Sequence, residues 1–536
     1  MLEIRELTLP LDHTDADLVR AAAHAIGRSP EELGSLTVWK RAIDARKRGR
    51  VALNYTVQVD AKPSIGNRRS IKANVGPAPD RVYRELDGLR TLTSAPKPRP
   101  VIVGTGPCGL FAGLLLARMG RAPILVERGK AAGPRARDVT GFWRRNWQLD
   151  PESNVQFGEG GAGTFSDGKL YTQTKDREHR RPWILKKLVG AGAPEDILIK
   201  ARPHIGTDRL IKVVRRLGEE IVSLGGEVHF GSRLDGLLVD ENRQVMGLQL
   251  SDGSKVATDT AVIAIGHSAR DTFSMLHRQS VAIEPKPFSI GVRIEHPQSL
   301  VDQVQYGRHA GHSLLGSAPY KFVQHLGGRR SAYSFCMCPG GLVVASSSEP
   351  GGVVTNGMSS YARAGANANS GFMIDVFPED FGIDGDPLAG IAYQRMWEQR
   401  AFEAGGSDFR APAQRLEDFL SDRPTRQFGD VAPSYEPGVV PADLRACLPD
   451  FVADGLKQAV AGIERRLPGF SLPDAVLTGV ETRSSSPIRM TRDPDSLQSV
   501  NTPGLYPSGE GAGYAGGIIS AAIDGMRIAE RILQRS

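Results

Sequence analysis

The sequence predicts an α/β protein with a parallel sheet at its centre, and three observations indicate this fold class. Segments 101–103 and 124–126 are short and entirely apolar, as expected of strands buried on both faces of a parallel sheet. Between them lie a glycine-rich turn and a segment with helical spacing through about residue 119, which supplies the crossover that parallel strands need. From Pro503 onwards, a strand, a glycine-rich turn and a helix follow in the same order again.

Apolar periodicity predicts the remaining elements of the chain. Alternation of apolar and polar residues indicates half-buried strands, whereas apolar residues three and four positions apart indicate one face of a helix. The strands predicted in this way are 4–9, 37–43, 51–59, 227–230, 236–239, 245–250 and 260–265, and the helices are 15–26, 209–224 and 518–532.

The composition indicates a folded protein of several domains. The chain has 536 residues, of which 24% are charged and 40% hydrophobic, and at roughly 150 residues per domain this length predicts about three domains. Four cysteines without a CxxC pair exclude a disulfide-stapled scaffold and a zinc site, so no metal is predicted. Neither a signal peptide nor a run of about 18 to 20 apolar residues is present. We therefore expect a soluble cytoplasmic protein that does not contact a membrane.

Composition and pattern divide the chain into four segments. Residues 1–93 predict a small N-terminal α/β module, followed by a proline-rich linker. Residues 94–279 contain the first part of the α/β domain with the parallel sheet. Residues 280–475 contain many irregular glycine and proline segments and predict an inserted, mixed α+β domain whose topology the pattern does not give. Residues 476–536 complete the interrupted α/β domain.

The positive charge of the chain is concentrated in one stretch. Between Lys40 and Lys72 there are ten basic residues against two acidic ones, a surplus that accounts for the whole net charge of +7. Such a stretch can attract phosphates, nucleic acid or an acidic partner. The alternative is a solvated face of the hairpin that this stretch predicts.

The turn after the first apolar strand has the sequence GTGPCG, which is typical of a Rossmann-like dinucleotide site. Gly104 permits the tight turn, Gly106 lets a pyrophosphate approach the backbone, and Gly109 allows close packing of helix and strand. Glu127 ends the next strand, 18 residues after Gly109, where a carboxylate can bind the ribose hydroxyls of an adenosine. The contacts predicted in this part of the site are Gly104, Gly106, Pro107, Cys108, Gly109, Glu127 and Arg128.

Further glycine-rich segments favour FAD over a nicotinamide dinucleotide. The run GEGGAGTFSDG at 158–168 has amides that can follow a diphosphate and ribityl chain. The run GEGAGYAGG at 509–517 precedes a helix, whose N-terminus suits the pyrimidine edge of a flavin, and Glu510 is placed to accept a ribityl hydroxyl. Because these segments are widely separated, they suit an elongated ligand. The contacts predicted here are Gly160, Gly161, Ala162, Gly163, Thr164, Val228 beside the adenine, Ala264, Gly266, Gly509, Glu510, Gly516, Gly517 and Ile518.

The whole chain resembles a bacterial family of FAD-dependent dehydrogenases of unassigned substrate, within the glutathione reductase-like flavoprotein superfamily. The resemblance is carried by the strings NVQFGEGGAGTFSDGKLYT, KPFSIGVRIEHPQ, SFCMCPGG, EPGGVVTNGMS and GLYPSGEGAGYAGGIISAAIDGM. It implies an NAD(P)/FAD-dependent oxidoreductase and leaves the substrate open. No second GxGxxG follows a later strand, and the CxxxxC pair of the disulfide reductases is missing after the first of these cofactor segments. NAD(P)H, if it is the electron donor, would therefore dock only transiently at the flavin.

The residues that act on the substrate remain open, because hydride transfer to a flavin needs little beyond positioning and one proton donor or acceptor. Arg293 and His296 are candidates for binding an anionic substrate and moving a proton, and structural pairing with Glu295 is the alternative. Arg483 and Arg489 lie just before the last glycine-rich segment and are candidates for a position near the isoalloxazine.

Cysteines and histidines near these segments have structural alternatives as well. Cys336 and Cys338 would face the same side of an extended strand and are candidates for redox chemistry, with buried packing cysteines as the alternative. His204 and His267 adjoin predicted cofactor segments, and for both we expect a structural histidine with satisfied hydrogen bonds.

The favoured function is an FAD-dependent oxidoreductase that transfers hydride between a small-molecule substrate or NAD(P)H and flavin N5. In this hypothesis the inserted domain covers the flavin and forms the substrate pocket. A flavin-dependent RNA-modifying enzyme, suggested by the basic stretch, is one alternative, and a flavin-binding regulatory protein without turnover is another. The sequence predicts no oligomeric state.

Overall fold

The computed structural model of the chain describes residues 1–47, 50–61, 74–84, 86–89, 91–93, 95–382 and 385–535. Mixed α/β structure extends over these residues, with six sheets.

The N-terminal segment forms a four-stranded antiparallel sheet with one helix packed on it. Its elements are β1 Leu2–Pro10, α1 Asp15–Ile26, β2 Leu36–Lys47, β3 Arg50–Val59 and β4 Val75–Pro77, and the strand order is β2-β3-β1-β4. Thr14 caps α1 by accepting the Asp17 N–H at 3.2 Å, and Gly27 ends the helix with a φ of 69°. The predicted strands and helix of this segment are confirmed.

The basic stretch follows the hairpin of β2 and β3. Within it, Arg46 pairs with Asp44 at 2.7 Å. The predicted basic residues Arg48, Lys62, Arg68, Arg69 and Lys72 lie outside the described residues. The edge strand β2 also bonds to the body of the protein, because Arg41 N–H donates to Ile199 O at 2.7 Å.

A five-stranded sheet, parallel throughout, follows the linker. The elements from this point to residue 278 are β5 Val101–Val103, α2 Pro107–Arg118, β6 Ile124–Glu127, α3 Ala132–Arg144, α4 Arg180–Gly190, α5 Thr207–Ser223, β7 Glu227–Phe230, β8 Leu234–Val239, β9 Val245–Leu250, β10 Lys255–Ala257, β11 Ala261–Ile263 and α6 Arg270–Arg278. The chain ends with β23 Leu505–Pro507 and α12 Ile518–Arg535. The strand order is β23-β11-β5-β6-β7, so the C-terminal strand completes a sheet begun four hundred residues earlier.

This parallel sheet is the middle of three layers. Helices α2, α5 and α12 cover one face and enclose a core with Ile102, Leu125 and Val262. The three-stranded sheet β10-β9-β8 and helix α6 cover the other face, where Val103 and Ile263 are buried. Burial on both faces explains why these strands are short and uniformly apolar in the sequence.

The segment whose topology the pattern left open forms a seven-stranded sheet with helices around it. Its elements are β12 Ile283–Pro285, β13 Phe288–Pro297, α7 Gln298–Tyr306, β14 Val323–His325, β15 Ser331–Cys338, β16 Leu342–Ala345, β17 Thr355–Met358, β18 Asn367–Val376, α8 Pro378–Phe381, α9 Ala389–Ala404, β19 Ala411–Arg415, α10 Leu416–Leu420, β20 Val439–Pro441, α11 Asp450–Glu464, β21 Val476–Glu481 and β22 Ile488–Met490. The order in the large sheet is β14-β15-β18-β13-β21-β19-β20, antiparallel except for the last pair. Smaller two-stranded sheets join β12 to β22 and β16 to β17.

The domain boundaries remain a prediction. Strand β21 begins immediately after the predicted boundary at residue 475 and pairs with β13 and β19 of the seven-stranded sheet. None of the helices in the described ranges is both long enough and apolar enough to cross a bilayer.

Candidate functional site

A cavity of about 880 Å³ lies at the carboxyl ends of the parallel strands. The residues that follow β5, β11 and β23, namely Gly104, Ala264 and Gly509, line it together with Glu127 at the end of β6. Because parallel strands end at the same edge of a sheet, this edge is where open α/β sheets bind ligands. Strand β15 of the seven-stranded sheet contributes to the wall of the same cavity.

The three glycines of the GTGPCG turn have different surroundings. Gly104 has a φ of 102°, and a Cβ there would collide with the carbonyl oxygen of Ala264. A Cβ on Gly109 would collide with the carbonyl oxygen of Gly104, so α2 packs directly on the turn. By contrast, the nearest protein atom to a Cβ on Gly106 would be Gly161 Cα at 3.9 Å. Close main-chain packing therefore requires glycine at positions 104 and 109, whereas Gly106 leaves open space at the N-terminus of α2.

Open backbone continues around the cavity. Gly266 and Gly516 also line it, and no protein atom lies within 4 Å of a Cβ built on either. Together with Gly106, they give three separate segments whose main chain lines the cavity without a neighbouring side chain in front of it. A cavity of this size with main-chain amides at helix N-termini fits an elongated dinucleotide, which needs close backbone approach along its diphosphate.

Glu127 accepts four hydrogen bonds from the chain itself. One carboxylate oxygen accepts the N–H and the hydroxyl of Thr105, both at 2.9 Å, and the other accepts the N–H groups of Gly129 and Gly158, also both at 2.9 Å. A carboxylate has about four acceptor positions, so all of them are used. Glu127 therefore connects three loops through hydrogen bonds.

Arg135 is a residue of the site that the sequence reasoning missed. It is fully buried on α3, and its guanidinium donates to five main-chain oxygens. These acceptors are the carbonyls of Asn154, Val155, Gly158, Glu159 and Gly161, at 2.7 to 3.2 Å. Burial lowers the pKa of Arg135 to about 10, so it remains charged at neutral pH. One cation thus holds the carbonyls of the glycine-rich loop turned away from the cavity.

Arg128 lies at another part of the cavity wall. Its guanidinium pairs with Glu152 and Asp271, both at 2.8 Å, and stands 4.0 Å from the centre of the Phe157 ring. Phe157 and Arg233 line the same part of the cavity. This end has an aromatic ring and guanidinium groups that an adenine can stack against.

The C-terminal glycine-rich run is held by a buried ion pair that the pattern did not reveal. Asp524 on α12 accepts the Gly509 N–H at 2.8 Å and pairs with Arg492 at 2.7 Å. The neighbouring Glu510 lines the cavity, and burial raises its pKa to about 7, while Lys286 opposes this rise. Gly509 and Glu510 are thereby set at the cavity wall by α12.

A cluster of buried charges connects the loop after β11 with the seven-stranded sheet. Arg270 and Arg483 both pair with Glu398, at 2.7 and 2.9 Å. Arg483 also donates to Ser268 at 3.1 Å and lines the cavity. Beside them, burial and then the charge of Arg483 lower the pKa of His267 to about 3, so this cavity-lining imidazole is neutral at pH 7.

Cys336 lines the cavity from β15, whereas Cys338 is fully buried behind it. Lys169 Nζ and Arg293 Nη2 each lie 3.9 Å from Cys338 Sγ. Arg293 also donates to the carbonyl of Cys336 at 3.1 Å and pairs with Glu481 at 3.2 Å. The candidate Arg293 is thus close to the cavity without lining it.

The structure brings most of the predicted cofactor contacts to this one cavity. The lining residues among them are Gly104, Gly106, Pro107, Cys108, Glu127, Arg128, Gly161, Ala162, Gly163, Ala264, Gly266, Gly509, Glu510, Gly516, Gly517 and Ile518. Gly109, Gly160, Thr164 and Val228 do not line it. Val228 packs instead against the core beneath the helices.

Other candidates lie elsewhere. His296 is buried in the seven-stranded unit, where it contacts Phe470 O at 2.8 Å, and burial lowers its pKa to about 4. Arg489 lies on β22 and stands 5.5 Å from the centre of the Tyr514 ring, outside the cavity lining. His204 stacks on Tyr361 with ring centres 5.3 Å apart and contacts its carbonyl at 3.0 Å, as a structural histidine would.

Comparison with known proteins gives two family models and a full-length relative. A model described as the C-terminal domain of FAD-dependent proteins matches residues 287–484, and a model of a domain of unknown function matches residues 1–60. An uncharacterized protein of Clostridium beijerinckii is 43% identical over 540 residues, which cover 100% of this chain and 99% of the relative. Protein FixC of Escherichia coli K12 is 27% identical over 229 residues, 40% of this chain and 48% of FixC.

Similarity to solved structures is weaker. Glycerol-3-phosphate dehydrogenase from Bacillus halodurans complexed with FAD has a TM-score of 0.35 and 12% identity, over 84% of this chain and 65% of that one. L-proline dehydrogenase from P. horikoshii has a TM-score of 0.33 and 11% identity, over 82% and 95% of the two chains. Scores of this size support no conclusion about activity.

Proposed function

The chain belongs to the family of the Clostridium beijerinckii protein and carries the C-terminal domain of FAD-dependent proteins, and on this premise we propose that it is an FAD-dependent oxidoreductase. The observation that carries the proposal is the convergence of four distant segments on one cavity at the carboxyl edge of the parallel sheet. When bound, FAD supplies a two-electron acceptor at its isoalloxazine.

Four groups of residues would hold the cofactor. The N–H groups at the start of α2, beside Gly106, would bind the diphosphate, and the loop at Gly161 would follow it. Glu127 would bind the ribose in place of the Thr105 hydroxyl, and Glu510 would accept a ribityl hydroxyl. The start of α12 at Ile518 would face the pyrimidine edge, where its N–H groups stabilise negative charge. These roles fit a Rossmann-like domain of the glutathione reductase-like superfamily.

The substrate would be a small molecule bound between this cofactor site and the seven-stranded sheet. Lys169, Tyr171, Tyr320 and Phe335 line the cavity there, and they offer one cation and three aromatic rings to a ligand. Among the catalytic candidates, Arg483 and Cys336 line the cavity, and we propose that Arg483 positions the substrate or the flavin. In this proposal residues 280–475 form the substrate domain, and NADH or NADPH docks transiently as electron donor.

Absorption spectroscopy tests the proposal directly. Purified protein is expected to show the visible spectrum of an oxidised flavin, and the ligand released by denaturation is expected to co-elute with FAD rather than with FMN or NAD. Stopped-flow mixing with NADH and with NADPH then measures whether either reduces the flavin. A folded, colourless protein that takes up no added FAD contradicts the proposed function.

A further inference from the structure

Strand β15 is irregular where its two cysteines lie. Phe335 pairs with Gly371 and Cys338 with Asn369, so β15 has one residue more than β18 over this interval. Such a bulge redirects a side chain. Cys336 has a φ of 45°, a left-handed conformation that residues with a Cβ rarely adopt. At this bulge Cys336 lines the cavity, whereas Cys338 is buried beside it.

The Cys338 side chain contacts the main chain of Cys336. Cys338 Sγ donates to the carbonyl of Cys336 at 3.1 Å. Both cysteines are free. Two free cysteines two residues apart, of which one lines a cavity and the other contacts its main chain, have the arrangement of an attacking thiol and a resolving thiol.

Positive charges surround this pair. Lys169 and Arg293 approach Cys338 from two different elements, and each is itself paired with a carboxylate, Asp167 at 3.1 Å and Glu481 at 3.2 Å. The neighbouring Cys338 side chain and then the charges of Lys169 and Arg293 lower the pKa of Cys336, and burial opposes this shift.

The other two cysteines have the opposite environment. Burial raises the pKa of Cys447 to about 12 and that of Cys108 well above its usual value. Cys108 lines the cavity without a neighbouring cysteine or lysine at hydrogen-bond distance among its described contacts. Reactive thiols are those with lowered pKa values and access to a ligand, so Cys336 is distinguished from both.

We propose that Cys336 and Cys338 are a dithiol/disulfide couple that exchanges two electrons with the flavin bound in the cavity. The inference rests on the proposed function, because the flavin is its electron partner. In the oxidising direction, the Cys336 thiolate and the Cys338 thiol form one sulfur–sulfur bond and release one proton and two electrons. These two electrons and the proton would pass to the oxidised flavin when it is bound, so that the exchange balances. In the reverse direction the disulfide is reopened.

The first experiment does not depend on the flavin. FAD-stripped protein is treated with a thiol oxidant, diamide, and its intact mass and cysteine-containing peptides are measured. We expect the loss of two hydrogens and a peptide with a Cys336–Cys338 disulfide. Cys336→Ser and Cys338→Ser should each abolish the mass change, whereas Cys447→Ser should retain it. Far-ultraviolet circular dichroism shows whether each variant is folded. No mass change in folded wild-type protein, or a disulfide with another cysteine, overturns the proposal.

The second experiment tests the connection to the flavin. FAD-loaded protein is mixed anaerobically with dithiothreitol, and the loss of flavin absorbance is followed. We expect bleaching at least tenfold faster in wild type and Cys447→Ser than in Cys336→Ser and Cys338→Ser. Equal rates in all four proteins overturn the couple and leave the proposed function intact. Failure of the wild-type protein to bind FAD overturns the proposed function, and the disulfide measurement then stands separately.

Discussion

Glu127 accepts hydrogen bonds from Thr105, Gly129 and Gly158, so its role in folding can be separated from its role in ligand binding. In Glu127→Gln an amide group replaces one oxygen and faces two donors, which lose their acceptor. We expect the free energy of unfolding of FAD-free protein to fall by about 1–3 kcal/mol, the cost of buried unsatisfied donors. Urea unfolding measures this change.

The matched control for this variant is Glu241→Gln, at the exposed turn between β8 and β9. It should leave the free energy of unfolding unchanged. If Glu127→Gln weakens FAD binding while the FAD-free protein is as stable as wild type, then Glu127 acts only as a ribose ligand, contrary to the hydrogen bonds described.

Gly106 and Gly133 form a second matched pair. Neither has a protein atom closer than 3.9 Å to an added Cβ, but Gly106 lines the cavity and Gly133 lies exposed in the first turn of α3. We expect Gly106→Val to fold and to lose at least 90% of the bound FAD, because the side chain occupies the space at the start of α2. Gly133→Val should keep its FAD. Flavin absorbance relative to protein measures both, and an unchanged FAD content in Gly106→Val would contradict the placement of the diphosphate.

Cys336 gives a prediction about pH. Because its pKa is lowered, its alkylation by iodoacetamide should rise with pH and level off, with a midpoint below the ordinary thiol value. Lys169→Met removes one stabilising charge and should move this midpoint upward. Peptide mass spectrometry follows the alkylation of each cysteine, with Cys447 as the unreactive control. A midpoint near the ordinary thiol value in wild-type protein would contradict the assigned environment.

At the residue scale, the structure agrees with the local packing that the sequence predicted at two of the three glycines of the GTGPCG turn. The positive φ of Gly104 and the close contact at Gly109 agree with the roles inferred from spacing. The four hydrogen bonds of Glu127 were not predictable, because Gly129 and Gly158 reach the carboxylate through loop conformations that no periodicity encodes. Val228 shows the same limit, because its strand was predicted correctly but its side chain packs on the core beneath the helices instead of lining the cavity as expected.

At the element scale, Arg135 organises the glycine-rich loop after α3. Arg135→Lys keeps the charge but supplies three donors in place of five, so at least two carbonyls lose their partner. Each of the two lost hydrogen bonds is worth about 1 kcal/mol, so the free energy of opening the loop falls by about 2 kcal/mol. We therefore expect amides 159–163 to exchange with deuterium roughly 30-fold faster. Hydrogen-exchange mass spectrometry measures this rate.

The control for the loop is Arg137→Lys, on the exposed side of the same helix. It should leave the exchange of amides 159–163 unchanged. Equal protection of these amides in wild type and Arg135→Lys would show that the loop is held by its own backbone hydrogen bonds rather than by the guanidinium.

Elements were predictable where burial follows a simple pattern. The strands at 101–103 and 227–230 and the helix 15–26 have the bounds that the sequence indicated. The seven-stranded sheet was not predictable, because its central strands bury polar residues. β18 begins with Asn367 and contains Asn369, both buried and hydrogen-bonded, so its pattern is neither apolar nor alternating. Long-range pairing stabilises such strands, and a local pattern does not encode it.

At the scale of the whole molecule, buried charges join the two large sheets across the cavity. Arg270 begins α6 beside the parallel sheet, Arg483 follows β21 of the seven-stranded sheet, and Glu398 on α9 pairs with both. Arg270 also pairs with Glu349 at 2.6 Å. Since these residues come from separate parts of the chain, the cluster forms only when both sheets have folded and met.

Glu398→Gln is expected to remove the charge that neutralises two buried guanidinium groups. Breaking a buried pair in this way costs about 3–5 kcal/mol, measured as the difference in free energy of unfolding between wild type and variant at pH 7.

This difference should depend on pH. Burial opposes ionisation of Glu398, but Arg270 and Arg483 outweigh it and hold the pKa of Glu398 below the ordinary 4.5. The ionised carboxylate therefore contributes stability that is complete above about pH 4.5 and is lost as the pH falls, so the difference between wild type and variant should narrow under acid conditions. Glu403→Gln, on the exposed side of α9, is the control. A difference that stays the same at every pH would show that packing, rather than the charge of Glu398, joins the two sheets.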